Sequence, residues 1–325
     1  MMFRLGMLRG KWLKHLHNTR LVHWISICIL LSTIAVLVIL LIREHEKLRQ
    51  FDNWRTYLVA CEKGFLLYPL SLSAQALVWS RIIRRLGKVD HGWLNIEIYA
   101  YSHLMRRLPG AIWYLASRTM MYYGQGIDAR ITLAASGLEW LLLVVTAGFI
   151  YSILYLSNLL KSWWLGFGGL LLLIGGAVWG LKSLYLQKHR RPPNLISYLL
   201  DSPVETLPRV REVVLWIGLY SVAYAVGGAI LWLLVHGVVV ESNIMIIDAI
   251  RIWALAGGVS FVTSLIVPAG MGIRELTITA LLVPEVSTAE ALLIALLLRI
   301  LFIAGDLIWG GLMWAMARLL RHNLK

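Results

Sequence analysis

Leu265-Ile266-Val267-Pro268-Ala269-Gly270-Met271-Gly272-Ile273-Arg274-Glu275 interrupts a sequence that is otherwise almost continuously apolar. Pro268 lacks a backbone donor and crowds the preceding turn, so a helix stops before it. Gly270 and Gly272 open backbone conformations closed to other residues. Arg274 and Glu275 then set opposite charges beside an apolar segment. In lipid, unpaired backbone and charge are tolerated only inside protein or against a wet cavity. The stretch therefore belongs in the interior of a membrane protein.

Working outward, the same device stands earlier as Leu108-Pro109-Gly110-Ala111-Ile112-Trp113, with Arg118 following. Pro109 and Pro268 are 159 residues apart. At an offset of 160, Ala129 falls on Ala289, Ala135 on Ala295 and Glu139 on Arg299. The apolar span 56–80 falls on 216–240, and 133–157 on 293–317. One offset that aligns two helix breaks and two spans reads as an internal repeat, about 53–157 and 213–317.

Composition sets the class. Of the 325 residues, 59% are hydrophobic and only 15% charged. That excludes an ordinary soluble domain and points to a polytopic α-helical membrane protein. Alternating ten-residue amphipathic strands are absent, which argues against a β-barrel. The net charge of +14 would suggest nucleic acid in a soluble protein. Here Lys and Arg cluster between apolar spans, where membrane topology explains them, and no nucleic-acid partner is expected. Cys28 and Cys61 both lie in apolar spans, so neither a disulfide framework nor a metal site can be built from them. Neither a metal nor any other cofactor is expected. The nine histidines form no metal-ligand pattern, and His103 and His236 read as core histidines.

Along the chain, a basic tail (1–20) leads into a membrane domain over 21–320. Six spanning helices are expected at 21–42, 56–80, 133–157, 163–181, 212–240 and 289–317. Two broken elements, 92–108 with 111–123 and 249–267 with 271–283, bring the total to about eight transmembrane elements. If each broken element is a re-entrant hairpin, one side of the membrane carries 18 Lys or Arg and the other 5. That bias places the N-terminus, the loop 182–211 and the C-terminus in the cytoplasm. The first hairpin then enters from the cytoplasm and the second from outside, which makes the repeats inverted.

The charges inside the spans are the functional candidates. Arg107, Arg118 and Arg274 lie beside the breaks at Pro109 and Pro268. Guanidiniums there, with backbone donors around Gly110, Gly270 and Gly272, suit an anionic lipid headgroup. Glu139, Glu275 and Arg299 read as ion-pair or gating residues, with Glu139 and Arg299 expected to pair across the pseudo-twofold axis. Arg106 and Arg130 read as interfacial, snorkelling side chains. The competing reading makes all of these structural ion pairs. No nucleophile–base pair stands out, and the Pro-Ala-Gly-Met-Gly run lacks the Gly-Lys-Ser/Thr ending of a nucleotide loop.

Leu108-Pro109-Gly110, Arg118, Glu139, Pro268-Ala269-Gly270-x-Gly272-x-Arg274-Glu275 and Arg299 together resemble the transmembrane region of the lysylphosphatidylglycerol synthase family. That family comprises flippase-like domains, among them the N-terminal part of the multiple peptide resistance factor. Ala111-Ile112-Trp113 departs from the more glycine-rich first motif. The resemblance covers roughly 20–320 and implies a protein that moves an anionic or polyprenyl-phosphate-linked lipid between leaflets of a prokaryotic cytoplasmic membrane. It does not imply aminoacyl transfer, which resides in a separate soluble domain of bifunctional members. The expectation is therefore a transporter rather than an enzyme. The alternatives are an accessory or scaffold subunit for a separate synthase or glycosyltransferase, and a lipid-modifying enzyme using Glu275 or Glu139 as base.

Overall fold

The computed structural model describes residues 54–90, 92–106, 111–160, 208–239, 241–264 and 272–323, besides Ala35, Val38, Ile39, Ile42 and Arg43. Most of the expected span 21–42, the expected span 163–181, most of the loop 182–211, and Arg107, Pro109, Gly110, Pro268 and Gly270 lie outside them. The described residues form eight helices and no strand. In chain order they are α1 (Trp54–Gly87), α2 (Gly92–Met105), α3 (Ala111–Tyr123), α4 (Ala129–Leu160), α5 (Val210–Val238), α6 (Ile246–Thr263), α7 (Ile273–Leu282) and α8 (Thr288–Asn323).

The helix ends follow from local chemistry. Arg84 and Arg85 occupy the last turn of α1, where positive charge meets the exposed carbonyls. The Glu212 carboxylate accepts the Arg209 backbone N–H at 2.6 Å and closes the start of α5. Before α8, Glu290 accepts from the Ser287 backbone at 2.9 Å and the Ser287 hydroxyl accepts the Glu290 N–H at 3.3 Å. That reciprocal pair is a capping box.

Five helices, α1, α4, α5, α6 and α8, are long and apolar enough to cross a membrane. Their outward faces are apolar as well: Leu66 and Leu70 on α1, and Ile300 and Leu307 on α8, are exposed. The protein is thus an all-α membrane protein. The first leg of the second broken element, expected over 249–267, is the 18-residue α6 and belongs among the five. Its counterpart α2 has 14 residues and rises only about 21 Å, short of the ~30 Å hydrocarbon core. Helices α3 and α7 are shorter still. Each packs on its predecessor, α3 on α2 and α7 on α6.

Helix lengths therefore recur in order: long, short, shorter, long, twice. The most extensive packing joins the first helix of each set, α1 and α5. Gly237 near the end of α5 meets Ala60 and Tyr57 at the start of α1, and Gly64 meets Ile230. Further along, the Ser71 hydroxyl donates to the Ala223 carbonyl at 3.2 Å, and Arg85 pairs with Glu212 at 3.3 Å. One index rises as the other falls, so these corresponding helices run antiparallel. Glycines permit the close crossings. A Cβ on Gly228 of α5 would lie 2.4 Å from the Ile250 Cα of α6. Small residues at such crossings are how helices pack where lipid offers no hydrophobic drive.

A candidate anion-binding cavity

Each set of helices carries one ion pair between its shortest helix and its last. In the first, Arg118 of α3 pairs with Glu139 of α4. Arg118 is fully buried, and its Nε donates to the Ser102 hydroxyl at 3.1 Å. The Tyr114 hydroxyl donates to the same glutamate at 2.6 Å. The guanidinium lies 3.6 Å from the Trp79 ring centroid and 4.3 Å from that of Tyr114. In the second set, Arg299 of α8 donates to Glu275 of α7 at 2.6 Å. The signs are exchanged: the cation sits on the short helix in one set and on the long helix in the other.

This arrangement corrects the expected Glu139–Arg299 contact. Each residue pairs with its own short helix, because that helix packs on the long helix that follows it. Glu275 does a second task. Its other oxygen accepts the Gly272 N–H at 2.9 Å. Gly272 has φ of 82°, which a residue with a Cβ adopts only under strain. The start of α7 is thus closed by its own carboxylate.

A cavity of about 110 Å³ opens inside the bundle, room for several waters. Every helix except α3 contributes to its wall. Among the described residues three guanidiniums line it, Arg106, Arg274 and Arg299, against one carboxylate, Glu275. Arg106 lies 4.2 Å from the Phe261 ring centroid, and Arg274 lies 4.5 Å from that of Trp253. Cation–π contact with these aromatic faces holds the cations while their charge stays at the cavity. Gln75, Ser71, Tyr224 and Ser260 add hydrogen-bonding groups to the wall.

Of the residues singled out by sequence, Arg274, Glu275 and Arg299 meet at this cavity. Gly272 lies beside them at the start of α7. Arg118 and Glu139 do not line it; they form the sealed pair described above. Arg106, expected to snorkel, instead turns inward over Phe261. Arg130 is exposed, as is Trp113. His103, expected in the core, lines the cavity and meets Asp306. Sequence reasoning missed Arg106 and His103 as site residues. The available signal was their place in the last turn before a helix break. Among the described residues, no three His, Cys, Asp or Glu side chains stand close enough to hold a metal ion. A comparison with protein-family models finds no match for this chain, and a comparison with curated proteins finds none either.

Proposed function

We propose that this protein moves an anionic lipid, or a lipid-linked intermediate with a phosphate headgroup, between the leaflets of a prokaryotic cytoplasmic membrane. The observation that carries the proposal is the excess of guanidinium over carboxylate in a cavity enclosed by apolar helices. Burying such charge is costly, so it marks a site that receives a compensating anion. Arg106, Arg274 and Arg299 all face the cavity, and Arg299 is bound to Glu275. The antiparallel course of α1 and α5 supports inverted repeats, whose exchange would open the cavity to each leaflet in turn. The resemblance of the sequence motifs to flippase-like lysylphosphatidylglycerol synthase regions points the same way.

The test uses protein reconstituted into liposomes containing a fluorescent phosphatidylglycerol, with a membrane-impermeant quencher outside. Wild-type protein should expose inner-leaflet probe to the quencher. Arg274→Ala should slow this about tenfold or more, the worth of one hydrogen bond to a charged group. Arg251→Ala serves as a control, because Arg251 pairs with Asp248 at 3.0 Å and does not line the cavity. Equal rates in wild type and Arg274→Ala would refute the role of the cavity.

A further inference from the structure

Behind the cavity wall lies a second polar cluster, centred on a carboxylate that does not itself line the cavity. Asp306 is 1% exposed, midway along α8. His103 Nε2 of α2 lies 3.4 Å from its Oδ1. The Tyr68 hydroxyl of α1 donates to the same oxygen. His103 and Tyr68 both line the cavity and Asp306 does not, so the carboxylate is reached from the cavity through these two side chains. The geometry is held from all sides. Tyr68 stacks on Phe302 at 4.5 Å, one turn before Asp306. Its ring lies where a Cβ on Gly305 would be, 2.3 Å from Cδ1, so only glycine lets the hydroxyl reach. Tyr99 stacks on His103 at 5.6 Å and meets Trp309 of α8 edge-on at 6.3 Å.

We infer that the His103–Asp306 pair is a proton-binding site coupled to occupation of the cavity. A carboxylate buried inside a membrane bundle is costly to ionise, and histidine is the side chain that changes charge near neutral pH. With one shared proton the pair is neutral overall. Without it, a buried negative charge remains beside the cavity. The other ionisable groups facing this region from the elements packed on α8 are Tyr68 of α1, Tyr99 of α2, Arg106 just beyond α2, Tyr224 of α5, and Arg274 and Glu275 of α7. On α8 itself, Arg299 is bound to Glu275. The arginines tolerate the unprotonated pair while the cavity is empty. An anionic headgroup neutralises those arginines, and the pair then takes up its proton. By linkage, protonation strengthens headgroup binding to the same degree.

This inference rests on the proposed headgroup site, and the experiment separates the two. Binding of short-chain phosphatidylglycerol to the detergent-purified protein is measured by calorimetry in two buffers of different ionisation enthalpy. The titration of His103 is followed in parallel by NMR of nitrogen-labelled histidine. Wild-type protein should take up a proton on binding, with affinity falling as pH rises past neutrality. Asp306→Asn and His103→Gln should bind without uptake and lose that pH dependence. Tyr68→Phe, which keeps the ring stack, should displace the His103 titration. Binding without proton uptake in wild type, or uptake unchanged in both variants, would overturn the coupling and leave the headgroup site standing. If the lipid binds at no pH, the headgroup site fails. The proton site is then decided by NMR alone, and a His103 titration identical in wild type and Asp306→Asn ends it.

Discussion

At the residue scale, the two ion pairs have the same plan and different surroundings. Arg118 and Glu139 are sealed, while the Arg299 side chain remains 28% exposed at the cavity. Removing one member of a sealed pair strands a charge, at a cost of about 3–5 kcal/mol. Glu139→Gln should therefore lower the thermal midpoint of the detergent-purified protein sharply. The double change Arg118→Leu/Glu139→Leu should recover part of the loss. Glu275→Gln should cost less, because water in the cavity can solvate Arg299. A larger drop for Glu275→Gln than for Glu139→Gln would reverse this assignment. The presence of these charges was legible in the sequence, and so was the nearness of Arg118 and Glu275 to the helix breaks. Their partners were not. Glu139 and Arg299 share a repeat position, but equivalence does not place two side chains within reach.

At the element scale, the breaks decide how the helices share space. Helices α3 and α7 are too short to cross, so each leans on its predecessor and delivers a charge to the helix that follows. Close crossings at glycine then fix the angles. Gly228→Leu should disrupt the α5–α6 crossing, since overpacking costs about 1–3 kcal/mol and the obstacle here is backbone. Gly218→Leu, where no atom lies within 4 Å, should leave the yield of folded, monodisperse protein unchanged. Size-exclusion profiles of the two variants would check the pair, and matching profiles would remove the crossing from the account. Most helix positions were legible from apolar runs and from Pro and Gly. The length of α6 was legible too, since the expected leg 249–267 is about as long as the helix, while its start at Ile246 was not, because a helix extends as far as its packing supports it.

At the scale of the whole molecule, the antiparallel course of α1 and α5 is the observation behind the proposed inverted arrangement. Single cysteines at Lys88 and Ser242, in a background lacking Cys28 and Cys61, should react with an impermeant thiol reagent from opposite sides of the membrane. Labelling from one side would contradict inverted repeats. Sequence alone determined the class of protein, an all-α membrane protein, because hydrophobicity acts locally and periodically; the repeat and its two broken elements are expectations drawn from the same apolar runs, prolines and glycines. It also marked Arg274, Glu275 and Arg299 as unusual, because charge inside an apolar run is costly wherever it lands. Only the tertiary structure decided that Arg118 is sealed, that Arg106 turns inward, and that His103 meets Asp306. Those outcomes depend on which helices become neighbours. Packing sets that, bringing residues as far apart as Tyr68 and Asp306 to a single carboxylate oxygen.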